Sequence, residues 1–147
     1  MLFRSLWEKY GSLDWYQLLQ PAYKLADTGF ILDQYLANSI TSFSKELKQF
    51  PETKSIFFPE NIDPKPGDRF TQKNLAATIQ RIALDSLSGF YSGKTADLIV
   101  ATMNKYDGLI SYDDLKTYRP VWRRPVNFQF DSLDIYSMPP PSSGGVL

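Results

Sequence analysis

The residues able to do chemistry gather towards the C-terminal end: Ser142-Ser143, Gly144-Gly145, the carboxylates Asp113-Asp114 and the guanidinium pair Arg123-Arg124. A serine nucleophile needs a base within hydrogen-bond reach and a third group to orient that base. The chain contains no histidine and no cysteine, which removes Ser-His-Asp and Cys-His catalysis, disulfides and the usual zinc and transition-metal ligand sets. Any catalysis would rest on Ser, Thr, Lys, Tyr or carboxylates. The lysine nearest to the serines in sequence, Lys116, lies on the far side of an expected hairpin. Ser142 and Ser143 therefore read as an N-cap ahead of a helix opening at Val146-Leu147.

The other groups have similar alternatives. Gly144-Gly145 could approach a phosphate at a helix N-terminus, but two glycines fall short of a phosphate-loop pattern and read as close packing. Asp113-Asp114 could be an acid/base pair or a metal site; beside Ser111 they more simply oppose a helix dipole. Arg123-Arg124 could grip an anion, or one of them could point outward from an edge strand. Pro139-Pro140-Pro141 could enter a polyproline-reading groove, yet a strand leads directly into it and a rigid turn is the simpler reading. No residue is assigned a catalytic, cofactor-binding or metal-binding role, and no cofactor is expected.

The elements that must hold these groups are mostly helical. Across 147 residues, Lys plus Arg and Asp plus Glu balance at 16 each, so no net field steers the chain to nucleic acid or anionic lipid. Glu8 and Lys9 interrupt the apolar N-terminal run that a signal peptide needs, and no run reaches membrane-spanning length. Asp14 precedes a helix carrying Trp15, Leu19, Ala22 and Ala26, with Pro21 expected to kink or restart it and Gly29 to stop it. Asp33 can cap a second helix with Leu36, Ile40, Phe43 and Leu47 on one face. From Phe50 to Phe70 the period disappears among prolines, and a long loop is expected, pinned by Ile56, Phe57 and Phe58. Thr71 is read as the cap of a third helix, and a fourth carries Ala96, Ile99, Val100 and Met103 and ends at Gly108. Ser111 and Asp114 have capping-box spacing and open a short helix ending near Tyr118 and Pro120. Val121 to Phe130 and Leu133 to Ser137 read as a hairpin turning at Asp131-Ser132, with Pro125 at an edge or bulge.

An ordered set of motifs runs through these elements. Leu18-Leu19-Gln20-Pro21-Ala22-Tyr23-Lys24-Leu25-Ala26 with Gly29-Phe30 comes first, then Pro66-Gly67-Asp68 leading to Gln72 and Asn74-Leu75-Ala76. Phe90-Tyr91-Ser92-Gly93 with Ala96, Gly108-Leu109-Ile110-Ser111 with Asp114-Leu115 and Tyr118, Pro125, and Met138-Pro139-Pro140-Pro141-Ser142-Ser143-Gly144-Gly145 follow. The set resembles the large-subunit region of the γ-glutamyltransferases, or γ-glutamyltranspeptidases, self-cleaving N-terminal-nucleophile hydrolases. The chain departs in carrying Asp107-Gly108 where the family often has two glycines, and Ser111 where it has Thr. Serine caps a helix as well as threonine does.

The resemblance implies an α+β, mostly α piece of an αββα fold, with four or five helices and a C-terminal hairpin, forming a single partial domain over 1–147. Residues 1–118 are expected to be helical, and 119–147 to be the hairpin and a strand-to-helix corner. It implies γ-glutamyl transfer and glutathione hydrolysis through an acyl-enzyme on an N-terminal Thr beyond position 147. The oxyanion glycines and substrate-gripping serines would also lie beyond it, and the carboxylate-clamping Arg before position 1. The implied partners are the rest of the large subunit and the small catalytic subunit, without nucleic acid or a membrane segment, in the periplasm or cell exterior. The chain alone is expected to be inactive, and the hairpin to show unpaired edges or apolar faces through which copies could associate. The competing readings are a free-standing helical interaction module and a non-catalytic paralogue.

Overall fold

The computed structural model describes residues 2–142. Two helices open it, Leu2–Tyr10 (α1) and Trp15–Thr28 (α2). The Asp14 carboxylate accepts the Gln17 N–H at 3.1 Å, as its position before the apolar stripe requires. α2 runs unbroken through Pro21, so the expected restart does not occur. Pro21 is exposed, which places the forfeited amide bond where water can replace it. Gly29 ends the helix at φ 78 and lies against Phe70, where a Cβ would overlap the Phe70 carbonyl and Thr71.

Phe30–Ile31 (β1) pairs antiparallel with Arg69–Phe70 (β2), Phe30 facing Phe70 and Ile31 facing Arg69. The pairing continues as Leu32 N–H donates to Asp68 at 2.9 Å and Gly67 N–H donates to Leu32 at 2.9 Å. Residues 30–70 are thus an excursion closed at its base. It holds Gln34–Ser42 (α3), Ser44–Leu47 (α4), Pro51–Phe57 (α5) and a 3-10 turn at Pro59–Asn61. Asp33 caps α3 by accepting from Leu36 N–H at 2.7 Å.

Several expectations are corrected here. The single helix expected from Asp33 to Leu47 is divided at Phe43, which is exposed rather than part of the apolar face. The expected Phe50–Phe70 loop contains α5, because Pro51 occupies the first helical turn, where a missing amide costs nothing. The stretch 1–118 is not wholly helical, since β1 and β2 are two-residue strands too short to show a period. The anchor of this region is as expected: Phe58 is 1% exposed among Leu32, Ala37 and Ile40, and the Phe57 and Phe70 rings stack at 5.4 Å.

Lys73–Asp85 (α6) begins after Gln72 rather than at Thr71. The Gln72 N–H is already tied to the Ala26 carbonyl at 2.9 Å, which fixes where α6 can start. At the other end the Trp15 indole donates to the Ile82 carbonyl at 3.0 Å, so α2 and α6 run antiparallel, and Ala26, Ala76 and Ala83 are buried. Ser88–Tyr91 (α7), Gly93–Lys105 (α8) and Tyr112–Thr117 (α9) complete the helices. Thr95, the buried polar side chain among the described residues, donates to the Gly89 carbonyl at 2.7 Å and accepts from Arg81 at 3.0 Å. It stitches α6, α7 and α8 together. α8 closes with Gly108 N–H on the Met103 carbonyl at 2.8 Å, while Asp107 takes the left-handed position at φ 54. A Cβ on Gly108 would meet the Met103 sulfur, so a larger residue there would have to displace that side chain.

Val126–Phe130 (β3) and Leu133–Ser137 (β4) form the expected hairpin, with Asp131 at φ 54 in its two-residue turn. Phe128, Phe130, Leu133 and Tyr136 are all exposed, so the expected bare apolar faces are present. The molecule is a helix-rich α+β structure with two small sheets. Its accessible surface is 11147 Å², against about 7,700 Å² for a compact monomer of 16.9 kDa.

Replacing Phe58 by Ala is expected to cost about 3–5 kcal/mol. Gly89→Ala, whose Cβ would overlap the Arg81 carbonyl, is expected to cost about 1–3 kcal/mol. Urea midpoints measure both.

Candidate functional site

The groups singled out in the sequence do not converge. Ser142 N–H donates to the Pro139 carbonyl at 3.2 Å after a cis Pro140–Pro141 peptide. Ser143, Gly144, Gly145, Val146 and Leu147, and with them the helix start read there, lie outside the described residues. Lys116 lies in the last turn of α9, and Arg123 and Arg124 are exposed ahead of β3. They are not on a strand as expected, because pairing begins only after Pro125, which has no amide to give.

Asp114 is occupied by a capping box. Its carboxylate accepts from the Ser111 hydroxyl at 2.6 Å and the Ser111 amide at 2.8 Å, and Asp114 N–H returns a bond to the Ser111 hydroxyl at 3.3 Å. The Ser111 hydroxyl, then its amide, hold this carboxyl below its ordinary value. Among the described residues no cluster of three or more His, Cys, Asp or Glu could hold a metal ion. No described helix is long and apolar enough to cross a membrane.

The remaining ionised contacts are exposed struts. Glu52 of α5 takes a bond from Lys105 at 2.6 Å and from the Tyr106 hydroxyl at 3.1 Å, tying the excursion to the end of α8. The Lys105 bond holds the Glu52 carboxyl down, and Glu52 holds the ammonium up. Tyr112 donates to Asp97 at 3.0 Å, which raises the phenol, and desolvation raises that of Tyr91. None of these groups stands beside a nucleophile in a sheltered site.

A concave apolar feature, a trough of about 730 Å³, lies between α1, α2, α6 and α7. Phe3, Leu6, Trp7 and Tyr10 of α1 line it, a helix that sequence reasoning missed. The signal was present, since these residues fall at i, i+3, i+4 and i+7 of one helical face, with Lys9 in the last turn. Trp7 meets Trp15 with ring centroids 5.7 Å apart, and the Arg4 guanidinium lies 4.3 Å from the first ring and 5.2 Å from the second. This corner fixes α1 on α2.

The γ-glutamyltranspeptidase family model matches residues 1–147, and the chain belongs to that family. It is 39% identical over 140 residues to the glutathione hydrolase proenzyme of Escherichia coli, covering 95% of this chain and 24% of that protein. It is 34% identical over 138 residues to the acylase ACY 1 proenzyme of Pseudomonas sp. strain V22, covering 94% and 25%. The solved Helicobacter pylori γ-glutamyltranspeptidase superposes with a TM-score of 0.92 at 37% identity, covering 96% of this chain and 41% of that one. The chain spans about a quarter of the length of the curated relatives it matches.

The capping box carries a pH prediction. The folded Asp114 carboxyl lies below its ordinary value of 3.8, so its stabilising effect is full above that value and fades as pH falls through the lowered one. Asp114→Ala is expected to lower the thermal midpoint at pH 7 and to flatten the acid side of the stability profile, as read by circular dichroism.

Proposed function

We propose that residues 1–147 are scaffold from the large subunit of a γ-glutamyl-transferring enzyme, one partial domain of an αββα N-terminal-nucleophile hydrolase. Within it the helix-rich part runs to residue 118, and 119–147 carry the hairpin and the turn into the next helix. The observation that carries this reading is 39% identity to a glutathione hydrolase over nearly the whole chain.

In the proposed reaction the hydroxyl of an N-terminal Thr outside the chain attacks the γ-glutamyl carbonyl. Its proton passes to the threonine's own α-amino group, whose pKa of about 7.7–8.0 suits a base near neutrality. The amine leaves with a proton, and an ester acyl-enzyme remains. Water then releases glutamate, or an acceptor amine takes the γ-glutamyl group. This chemistry needs no histidine, so a histidine-free scaffold is compatible with it. The partners are the rest of the large subunit and the small catalytic subunit, and the compartment is the periplasm or cell exterior.

Purified 1–147 is expected to release no chromophore from γ-glutamyl-p-nitroanilide above the buffer rate, whereas a longer polypeptide containing these residues is expected to turn it over. Release by 1–147 alone that Ser142→Ala abolishes would overturn the assignment of the nucleophile. An inert longer polypeptide would overturn the activity.

A further inference from the structure

We propose that the excursion over residues 30–70 is a hinged flap, held closed against the end of α8 by a releasable latch in which Glu52 receives Lys105 and Tyr106. The device lies within this chain and is independent of the reaction proposed above.

The excursion is packed on itself. Its buried core of Leu32, Ala37, Ile40 and Phe58, and the half-buried apolar side chains packed on that core, all fall between positions 30 and 70. The helical body keeps a separate core at Ala96, Val100 and Leu115. Lys48 reaches Asp63 at 2.9 Å and lies 4.3 Å from the Phe58 ring, so this ion pair too is internal to the excursion. A unit that buries its own apolar side chains can change its angle to a neighbour without exposing them.

The root of the excursion is narrow. The chain enters through Gly29 at φ 78 and leaves through Thr71 to Gln72, whose N–H is held by the Ala26 carbonyl of α2. The β1–β2 ladder lies on the excursion side of that crossing, because Phe30 and Phe70 pack on the Phe58 cluster. Positions 29 and 71 therefore have to absorb any change of angle, and hinges are commonly a few such residues at the ends of elements.

Among the described residues, the side-chain hydrogen bonds that join the excursion to the helical body away from its root converge on Glu52. Lys105 donates to one of its carboxylate oxygens at 2.6 Å and the Tyr106 hydroxyl to the other at 3.1 Å, while the Phe50 ring meets that of Tyr106 edge-on at 6.0 Å. The Lys105 and Glu52 side chains are 55% and 61% exposed, so salt screens the pair and it adds little to global stability. An interaction too weak to hold a fold together can still decide between two positions of a unit that is folded in both.

Opening is read as a distance. The chain has no cysteine, so Tyr35→Cys on α3 and Ala22→Cys on α2, both exposed, carry spin labels without competing thiols. Double electron–electron resonance on labelled 1–147 at low salt is expected to give one narrow distance distribution. Glu52→Gln is expected to broaden it about twofold or more, or to add a second population. Sodium chloride at about 1 M is expected to do the same to the parent sequence and to leave Glu52→Gln unchanged. Equal widths in the parent, at high salt and in Glu52→Gln would overturn the proposal: narrow ones would mean a rigid excursion, and broad ones that nothing holds it. Salt that broadens parent and variant alike would overturn it too, since the closing contact would then lie elsewhere. So would a thermal midpoint lowered by about 5 °C or more in Glu52→Gln, because the pair would then be part of the fold rather than a latch upon it.

Discussion

The antiparallel pairing of α2 with α6 is the contact on which the rest of the molecule hangs. It is tied at one end by the Trp15 indole on Ile82 and at the other by Gln72 N–H on Ala26, with small buried alanines between. Because α2 ends where β1 begins and α6 starts where β2 ends, this pairing brings the two strands together and closes the 30–70 excursion. Gly29 makes the closure possible, since any side chain there would collide with Phe70. The Trp15 end also receives α1 through the Trp7 ring, and α6 passes the fold on to α7 and α8 through Arg81, Thr95 and Gly89.

What this frame lacks is a finished exterior. Among the described residues, alanines are prominent in the buried core, and Phe58 is the one large side chain below 2% exposure. Apolar surface is left open along the trough and on the hairpin. The chain spans about a quarter of its relatives' length. The same scaffold underlies relatives described as glutathione hydrolases and as an acylase. This is the pattern expected when the residues presented here set architecture rather than substrate choice.

Local rules carried well wherever a single side chain and its own backbone decide the outcome. Asp33 and the Ser111–Asp114 pair cap their helices in the positions their spacing indicates. Asp131-Ser132 turns the hairpin for the same reason. The reading failed where two distant segments decide together. Thr71 lost the cap position to Gln72 because Gln72 is bonded to α2, and the two-residue β1–β2 ladder exists only because α2 and α6 bring its strands into register. The period of α1 is visible in the sequence at Phe3, Leu6, Trp7 and Tyr10.

By itself, the amino-acid sequence determined the family, through ordered motifs, and the absence of histidine- or cysteine-based chemistry, through composition. It also determined the caps and the hairpin turn, since these depend on contacts three or four residues apart. Only the tertiary structure decided that the excursion closes as a small sheet, that Asp107 rather than Gly108 takes the left-handed turn, and that α1 and α2 frame an uncovered trough. Those outcomes depend on which segments meet, and on how much apolar surface remains once they have met, which no local spacing records.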